Sequence, residues 1–210
     1  MPPTVTVSPD LQAVLRVGDV GIDLPGSGAA PGLDAEIQRV CDALRSRWGS
    51  KPPHEIEALE PARRLYRDLG IDPTKTRPSS EALLRRVLRG DPFPRILPAV
   101  DIGNLCSLEF MLSVGIYDCG RIQGDVVVRR GLPGEAYAGI RKERVNLEGR
   151  LAVCDAPGPF GNPTSDSDRT KVTRETRRLL FLIFAPTAVD PPALDRHLSL
   201  VQERYKRLLA

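Results

Sequence analysis

The segment that most constrains this fold is Leu179-Leu-Phe-Leu-Ile-Phe-Ala185, seven apolar residues with no charge and no breaker. A half-buried strand alternates apolar and polar side chains. An unbroken run of branched and aromatic residues instead predicts a central strand covered on both faces. Two-sided cover demands a layer above and a layer below, which the rest of the chain must supply. The same run is the longest apolar segment of the chain, and it is far shorter than the ~20 residues of a membrane helix. No transmembrane helix is expected. The opening MPPTVTVSPD has neither a basic start nor an apolar signal core, and Cys41, Cys106, Cys119 and Cys154 are widely spaced without a C-x-x-C pair. The expectation is a cytoplasmic protein with reduced, buried thiols. His54 and His197 stand alone. A zinc site and a Ser-His-Asp triad both lack raw material, and no metal or cofactor is expected.

The rest of the chain alternates helical and strand patterns. Leu11 to Asp23 reads as strand-like and ends in the turn-rich Pro25-Gly-Ser-Gly-Ala-Ala-Pro-Gly32. Leu33, Ile37, Val40, Leu44 and Trp48 fall on one helical stripe, broken by Lys51-Pro-Pro53. A second helix, Glu55 to Leu69, takes Pro61 as a boundary or kink. Ser79 or Ser80 is placed to cap a third, which Gly90 stops. Ile96 to Leu112 reads as a largely buried helix whose polar members, Asp101, Asn104 and Glu109, need partners or a ligand. Val126 to Arg129 and Leu151 to Cys154 read as short strands, and a helix from Pro192 closes the chain with His197 off its apolar stripe, on the surface. The pattern predicts an α/β protein of α+β type, a mixed β-sheet flanked by helices, in one domain over residues 1–210.

Arginine outnumbers lysine 25 to five, and the charge is uneven: residues 61–95 carry nine basic and four acidic side chains, whereas residues 1–60 are acidic. Arg63, Arg64, Arg67, Arg85, Arg86 and Arg89 make either a positive face for RNA phosphates or an ordinary solvated helix face. One continuous face beside a pocket would favour RNA; scattered charges would favour a small ligand. No G-x-S-x-G elbow, Walker loop or G-x-G-x-x-G is present. The chemistry that remains is the polar stretch Asp155 to Thr176, whose turns, hydroxyls and carboxylates suit either a small-molecule or nucleotide-end pocket or a loop with a helix cap.

The order Val100-Asp-Ile-Gly-Asn104, Gly115-Ile-Tyr-Asp118, a strand ending Cys154-Asp155, a Gly-rich loop and Thr170-Lys-Val-Thr-Arg-Glu-Thr176 before an apolar strand resembles a known domain. It is similar to the editing (B-three/B-four, tRNA-binding) domain of the bacterial phenylalanyl-tRNA synthetase beta subunit. It is more similar still to free-standing proteins made of that domain alone. The likeness covers about residues 60–190, with the strand and helix of 1–59 and the helix of 191–210 packed on it. It implies a protein that binds the acceptor end of an aminoacyl-tRNA and hydrolyses a misattached amino acid in trans, an ester hydrolase and not a complete synthetase. The family's histidine falls on Gly115 and its tyrosine-recognising glutamate on Lys171. A lysine cannot accept a hydrogen bond from a phenol, so tyrosine proofreading is not expected.

By the same resemblance Asn104, Asp118, Asp168, Arg169, Thr170 and Thr173 are the candidate substrate-binding residues. Arg169 either grips a ligand carboxylate or phosphate or pairs with Asp155 or Asp166. Asp118 serves either ligand binding or turn capping. The alternative function is a non-catalytic module for an amino acid, a small carboxylate or a protein partner. Fold likeness alone does not choose between the two.

Overall fold

The computed structural model describes residues 3–25, 29–140 and 142–209. Part of the 25–32 turn lies outside these. In chain order the elements are β1 (Val5–Val7), β2 (Leu15–Asp23), α1 (Leu33–Trp48), α2 (Glu60–Asp68), α3 (Ser79–Leu88), α4 (Pro98–Phe110), β3 (Ser113–Asp118), β4 (Val126–Arg130), β5 (Ala136–Gly139), β6 (Lys142–Asn146), β7 (Leu151–Asp155), β8 (Gly158–Gly161), β9 (Arg178–Pro186) and α5 (Pro191–Leu208). One sheet runs β2-β9-β3, a second β1-β4-β7-β8, and β5-β6 form a separate hairpin. Only β1–β4 is parallel among these pairings, so the second sheet is mixed.

β9 holds the apolar run, and it is central as predicted. β2 pairs it from Leu15↔Pro186 to Asp23↔Arg178, and β3 pairs its other edge from Ser113↔Phe184 to Asp118↔Leu179. Successive side chains leave a strand on opposite faces. Leu179, Phe181, Ile183 and Ala185 therefore enter the core shared with α1, α3, α4 and α5. Leu180, Leu182 and Phe184 join Val126, Val128, Leu151, Val153 and Phe160 of the second sheet. The run needs no polar alternation because one face meets helices and the other a sheet. α4 lies close against β3 because Gly103 has no side chain: a Cβ there would come within 2.2 Å of Ile116 Cδ1 and 3.0 Å of Tyr205 Oη.

Several local expectations change. Pro9–Leu11 form a 3₁₀ turn, so the strand begins at Leu15. Pro78, not a serine, sits at the α3 N-cap, and the buried hydroxyls of Ser79 and Ser80 have no partner among the described residues. α4 starts only at Pro98 and stops where Met111 turns left-handed at φ 55°. His197 is not a surface residue. It is half-buried and stacks on Phe110 at 4.1 Å between ring centroids. β8 arises in the turn-rich stretch after Asp155, and β5 and β6 arise between two expected strands, where the sequence predicts no element.

Asp101 and Glu109, two of the three polar members of α4 that need partners, find them. Asp101 accepts from Ile96 N at 2.8 Å and Arg95 Nε at 3.0 Å. Glu109 meets Arg204 of α5. Glu81 of α3 is the strongest such case: its buried carboxylate accepts from Arg63 Nη2 at 2.9 Å and Nε at 2.8 Å and from Arg85 Nε at 2.8 Å. Burial pushes this carboxyl up, but the bonds and charges of Arg63 and Arg85 outweigh it and hold it below the usual glutamate range. Its contribution to stability is thus present above the unfolded value of about 4.3 and fades as pH falls through the lower folded one. Glu81→Ala strands a mostly buried guanidinium, since the Arg63 side chain is 15% exposed. The expected loss is about 3–5 kcal/mol, read as a lower urea midpoint at pH 7 with unchanged slope.

Candidate functional site

β3 is an edge strand, and its open side is where the Asp155–Thr176 segment returns. Asp118 N donates to Thr170 O at 2.9 Å. Upstream the segment is stitched to two other strands: Ser167 N donates to Phe160 O at 2.9 Å, Asp168 N to Ala138 O at 2.9 Å, and Ile140 N to Asp166 O at 3.0 Å. These bonds carry residues 166–172 across the face of α4. Between them lies a cavity of about 270 Å³ lined by Ile96, Val100, Asn104, Val114, Ile116, Ile140, Asp166, Lys171 and Val172. Ile96 and Ile140, both exposed, stand at its wall. Its polar groups are three: an amide, a carboxyl and an ammonium on otherwise aliphatic walls.

Asp166 is the unusual member. Its Oδ1 is wholly buried and has no hydrogen-bond partner, and neither has the buried hydroxyl of Tyr117 beside it. Burial pushes the Asp166 carboxyl up to about 7, against the opposing pull of the Tyr117 hydroxyl beside it. The half-buried Asn104 side chain has no hydrogen-bond partner among the described residues, on a helix most of whose residues are buried. Lys171 Nζ reaches out to Asp168 Oδ1 at 2.6 Å in an exposed pair. Such pairs are worth little and yield readily to a ligand.

The other sequence candidates lie elsewhere. Arg169 grips Asp155 with both nitrogens, Nη1–Oδ2 at 2.9 Å and Nη2–Oδ1 at 2.6 Å, and lies 5.5 Å over the Phe160 ring. Of its open alternatives, the pairing with Asp155 is the one present, and it clamps the loop onto β7. Thr170 is fully buried, with Oγ1 3.2 Å from Ser167 Oγ. Asp118 caps a turn through Gly120 N at 2.9 Å and accepts from Thr176 Oγ1 at 2.7 Å. Thr173 lines a neighbouring cavity of about 460 Å³ with Arg174 and shares only Ile96 with the first.

The six helix arginines all have partners: Arg63 and Arg85 on Glu81, Arg64 on Asp68, Arg67 on Glu60, Arg89 on Asp91 and Arg86 on Pro92 O. None of them lines the cavity. Asp166 escaped the sequence reading because Ser165-Asp-Ser-Asp-Arg-Thr170 shows two equivalent aspartates. Only burial separates Asp166 from exposed Asp168.

The sequence profile described as the B3/4 domain matches residues 61–207, about 70% of the chain. The chain belongs to the B3/4 domain family. Its fold is similar to the crystal structure of an N-terminal fragment of the phenylalanyl-tRNA synthetase beta subunit from Pyrococcus horikoshii, at 16% identity and a TM-score of 0.44. That match covers 53% of this chain and 40% of the fragment. No curated protein matches this sequence. Among the described residues no helix is long and apolar enough to cross a membrane.

Within this B3/4 domain, the glycine at 115 has a steric reason. A Cβ at Gly115 would come within 2.3 Å of Tyr117 Oη, and one at Gly161 equally close. The phenol of Tyr117 occupies the space between two glycines, with its ring edge-on to Phe160 at 4.9 Å. Gly115→Ala is expected to lose about 1–3 kcal/mol by overpacking. Tyr117→Phe in that background should recover part of it by removing a buried, unpartnered hydroxyl. Urea titration of the two variants measures both effects, and a double variant no more stable than Gly115→Ala would sink this account.

Proposed function

We propose that this protein binds the acceptor end of an aminoacyl-tRNA and hydrolyses a misattached amino acid in trans, using the cavity between α4, β3 and residues 166–172. The observation that carries the reading is Asp166, which lines an aliphatic cavity of amino-acid size and has a buried carboxyl oxygen without a hydrogen-bond partner. Membership of the B3/4 family supports it. In the proposed step Asp166 takes a proton from a water whose oxygen attacks the ester carbonyl carbon; the bond from that carbon to the ribose oxygen then breaks, and Asp166 returns the proton to the leaving ribose oxygen. A base with a pKa near 7 is matched to neutral operation. The Asn104 amide donates to the carbonyl oxygen, and the Lys171 ammonium offsets the negative charge that develops there. Arg174, which has no carboxylate partner among the described residues and sits in the adjoining cavity, is placed to meet the terminal phosphates. With valines and isoleucines around it, the cavity suits an aliphatic aminoacyl group better than a phenol.

One observation favours a second reading, the non-catalytic small-ligand module. The basic helix segment is paired with its own carboxylates instead of presenting free charge beside the cavity. A deacylation panel decides between the two. The purified protein is incubated with tRNAs charged with several amino acids, beside Asn104→Ala and Arg169→Ala. Release from at least one substrate, slowed by Asn104→Ala, is expected. No release from any, with no salt-dependent tRNA binding, would overturn the proposal, and calorimetric binding of a free amino acid would then establish the alternative.

A further inference from the structure

A second cavity, of about 380 Å³, shares no lining residue with the candidate site. It lies on the other side of the 162–165 turn, where Tyr66, Thr76, Arg144, Asn146, Arg150 and Asn162 meet an aliphatic wall that includes Ile71, Val145 and Leu151. Its lining contains no aspartate or glutamate. That is unusual in a chain where most arginines are paired with carboxylates. Arg150 has no side-chain partner among the described residues, and Arg144 has only Gly134 O at a long 3.4 Å.

The two asparagines are oriented by the backbone. Asn162, 6% exposed, accepts from Thr164 N and Ser165 N, both at 2.8 Å, through Oδ1. Its Oδ1 and Nδ2 are thereby distinguished, and the amide nitrogen is left at the cavity wall without a partner. Asn146 behaves alike: Oδ1 accepts from Glu148 N at 3.1 Å, which frees its Nδ2. The Tyr66 hydroxyl is already engaged by Thr164 Oγ1 at 2.9 Å and Pro163 O at 3.2 Å. The exposed Arg144, Asn146 and Arg150 and the buried Asn162 thus line one cavity with no acidic residue among its lining to neutralise the guanidinium groups, over an aliphatic floor.

We propose that this cavity is an anion site that takes the phosphate of a nucleotide-sized ligand, with Arg144, Arg150 and the amides of Asn146 and Asn162 on the phosphate and the aliphatic wall under the organic body. Arginine's planar fork matches phosphate oxygens, and such charge-assisted bonds are stronger than neutral ones. The volume exceeds what a bare phosphate fills. A free nucleotide and a backbone phosphate of RNA present the same chemistry here.

The test is equilibrium binding to the full chain, with inorganic phosphate, adenosine monophosphate and a short single-stranded oligoribonucleotide as separate probes. Asn162→Asp keeps the oxygen that accepts from Thr164 and Ser165 while replacing the donor with negative charge. Arg150→Gln removes a guanidinium that no other described residue uses, so it should leave the fold intact. The expected result is saturable binding of the mononucleotide or the oligonucleotide, weakened at least about tenfold by each substitution and competed by inorganic phosphate. Binding of the mononucleotide points to a free nucleotide, and binding of the oligonucleotide alone points to RNA. No saturable binding of any probe, or binding that survives both substitutions, overturns the proposal. The readout is occupancy and not ester hydrolysis, so it stands or falls separately from the deacylation panel.

Discussion

A fragment of residues 61–207, the span of the family match, is expected not to fold. β2 forms one whole edge partner of β9, and β1 extends the second sheet. Residues 1–60 also bury Leu11, Leu15, Ile22, Leu33, Ile37, Val40, Leu44, Trp48, Ile56 and Leu59. At about 1.5–3 kcal/mol for each large side chain, their loss exceeds the 5–15 kcal/mol that typically separates folded from unfolded states. Removing β2 also bares a long apolar strand edge, which invites aggregation. Near-ultraviolet circular dichroism and amide proton dispersion should show no fixed tertiary structure in the fragment, against a cooperative transition for residues 1–210. A fragment that unfolds cooperatively at a similar urea midpoint would refute this and show that the first 60 residues are an accessory.

Asp166→Asn is expected to act oppositely on stability and on activity. A carboxyl held near 7 when folded and near 3.9 when unfolded makes the folded state bind the extra proton. The native protein therefore loses stability as pH rises between these values, and the full penalty is present above about 7. Asparagine removes the charge while keeping the shape. The variant should thus be more stable than wild type at pH 8, by an amount that shrinks towards zero at pH 4. The same substitution removes the proposed base, and hydrolysis should fall about 10²–10⁴-fold. Denaturant midpoints across the pH range, together with single-turnover deacylation rates, check both limbs. A stability difference that does not change with pH would show that Asp166 is not held protonated by burial.

The covering of Leu179–Ala185 on both faces was legible from the chain alone, because no polar residue interrupts it. The α1 stripe and the C-terminal helix were legible for the same reason: apolar spacing reports which face of an element is buried. The weaker elements were not. β5, β6 and β8 are short and Gly- or charge-bearing, and their pairing is set by neighbours distant in sequence. Ser79 and Ser80 carry the residue type of a cap without its geometry, since Pro78 takes that position.

The site was legible only in outline. Asn104 and the 155–176 segment stand out in the sequence, and both contribute to the cavity. Arg169, however, is engaged by Asp155, a partner 14 residues away that residue type alone could not choose over Asp166.

Sequence by itself determined the layered α/β plan, the central strand and the family, because these rest on patterns of burial and on an ordered set of motifs. Tertiary structure decided which polar groups are free. Whether an arginine or aspartate is available to a ligand depends on the side chains that long-range pairing sets beside it. That turned six candidate RNA arginines into partnered ones, and left Asp166, Asn162 and Arg150 as the groups with unmet bonding capacity.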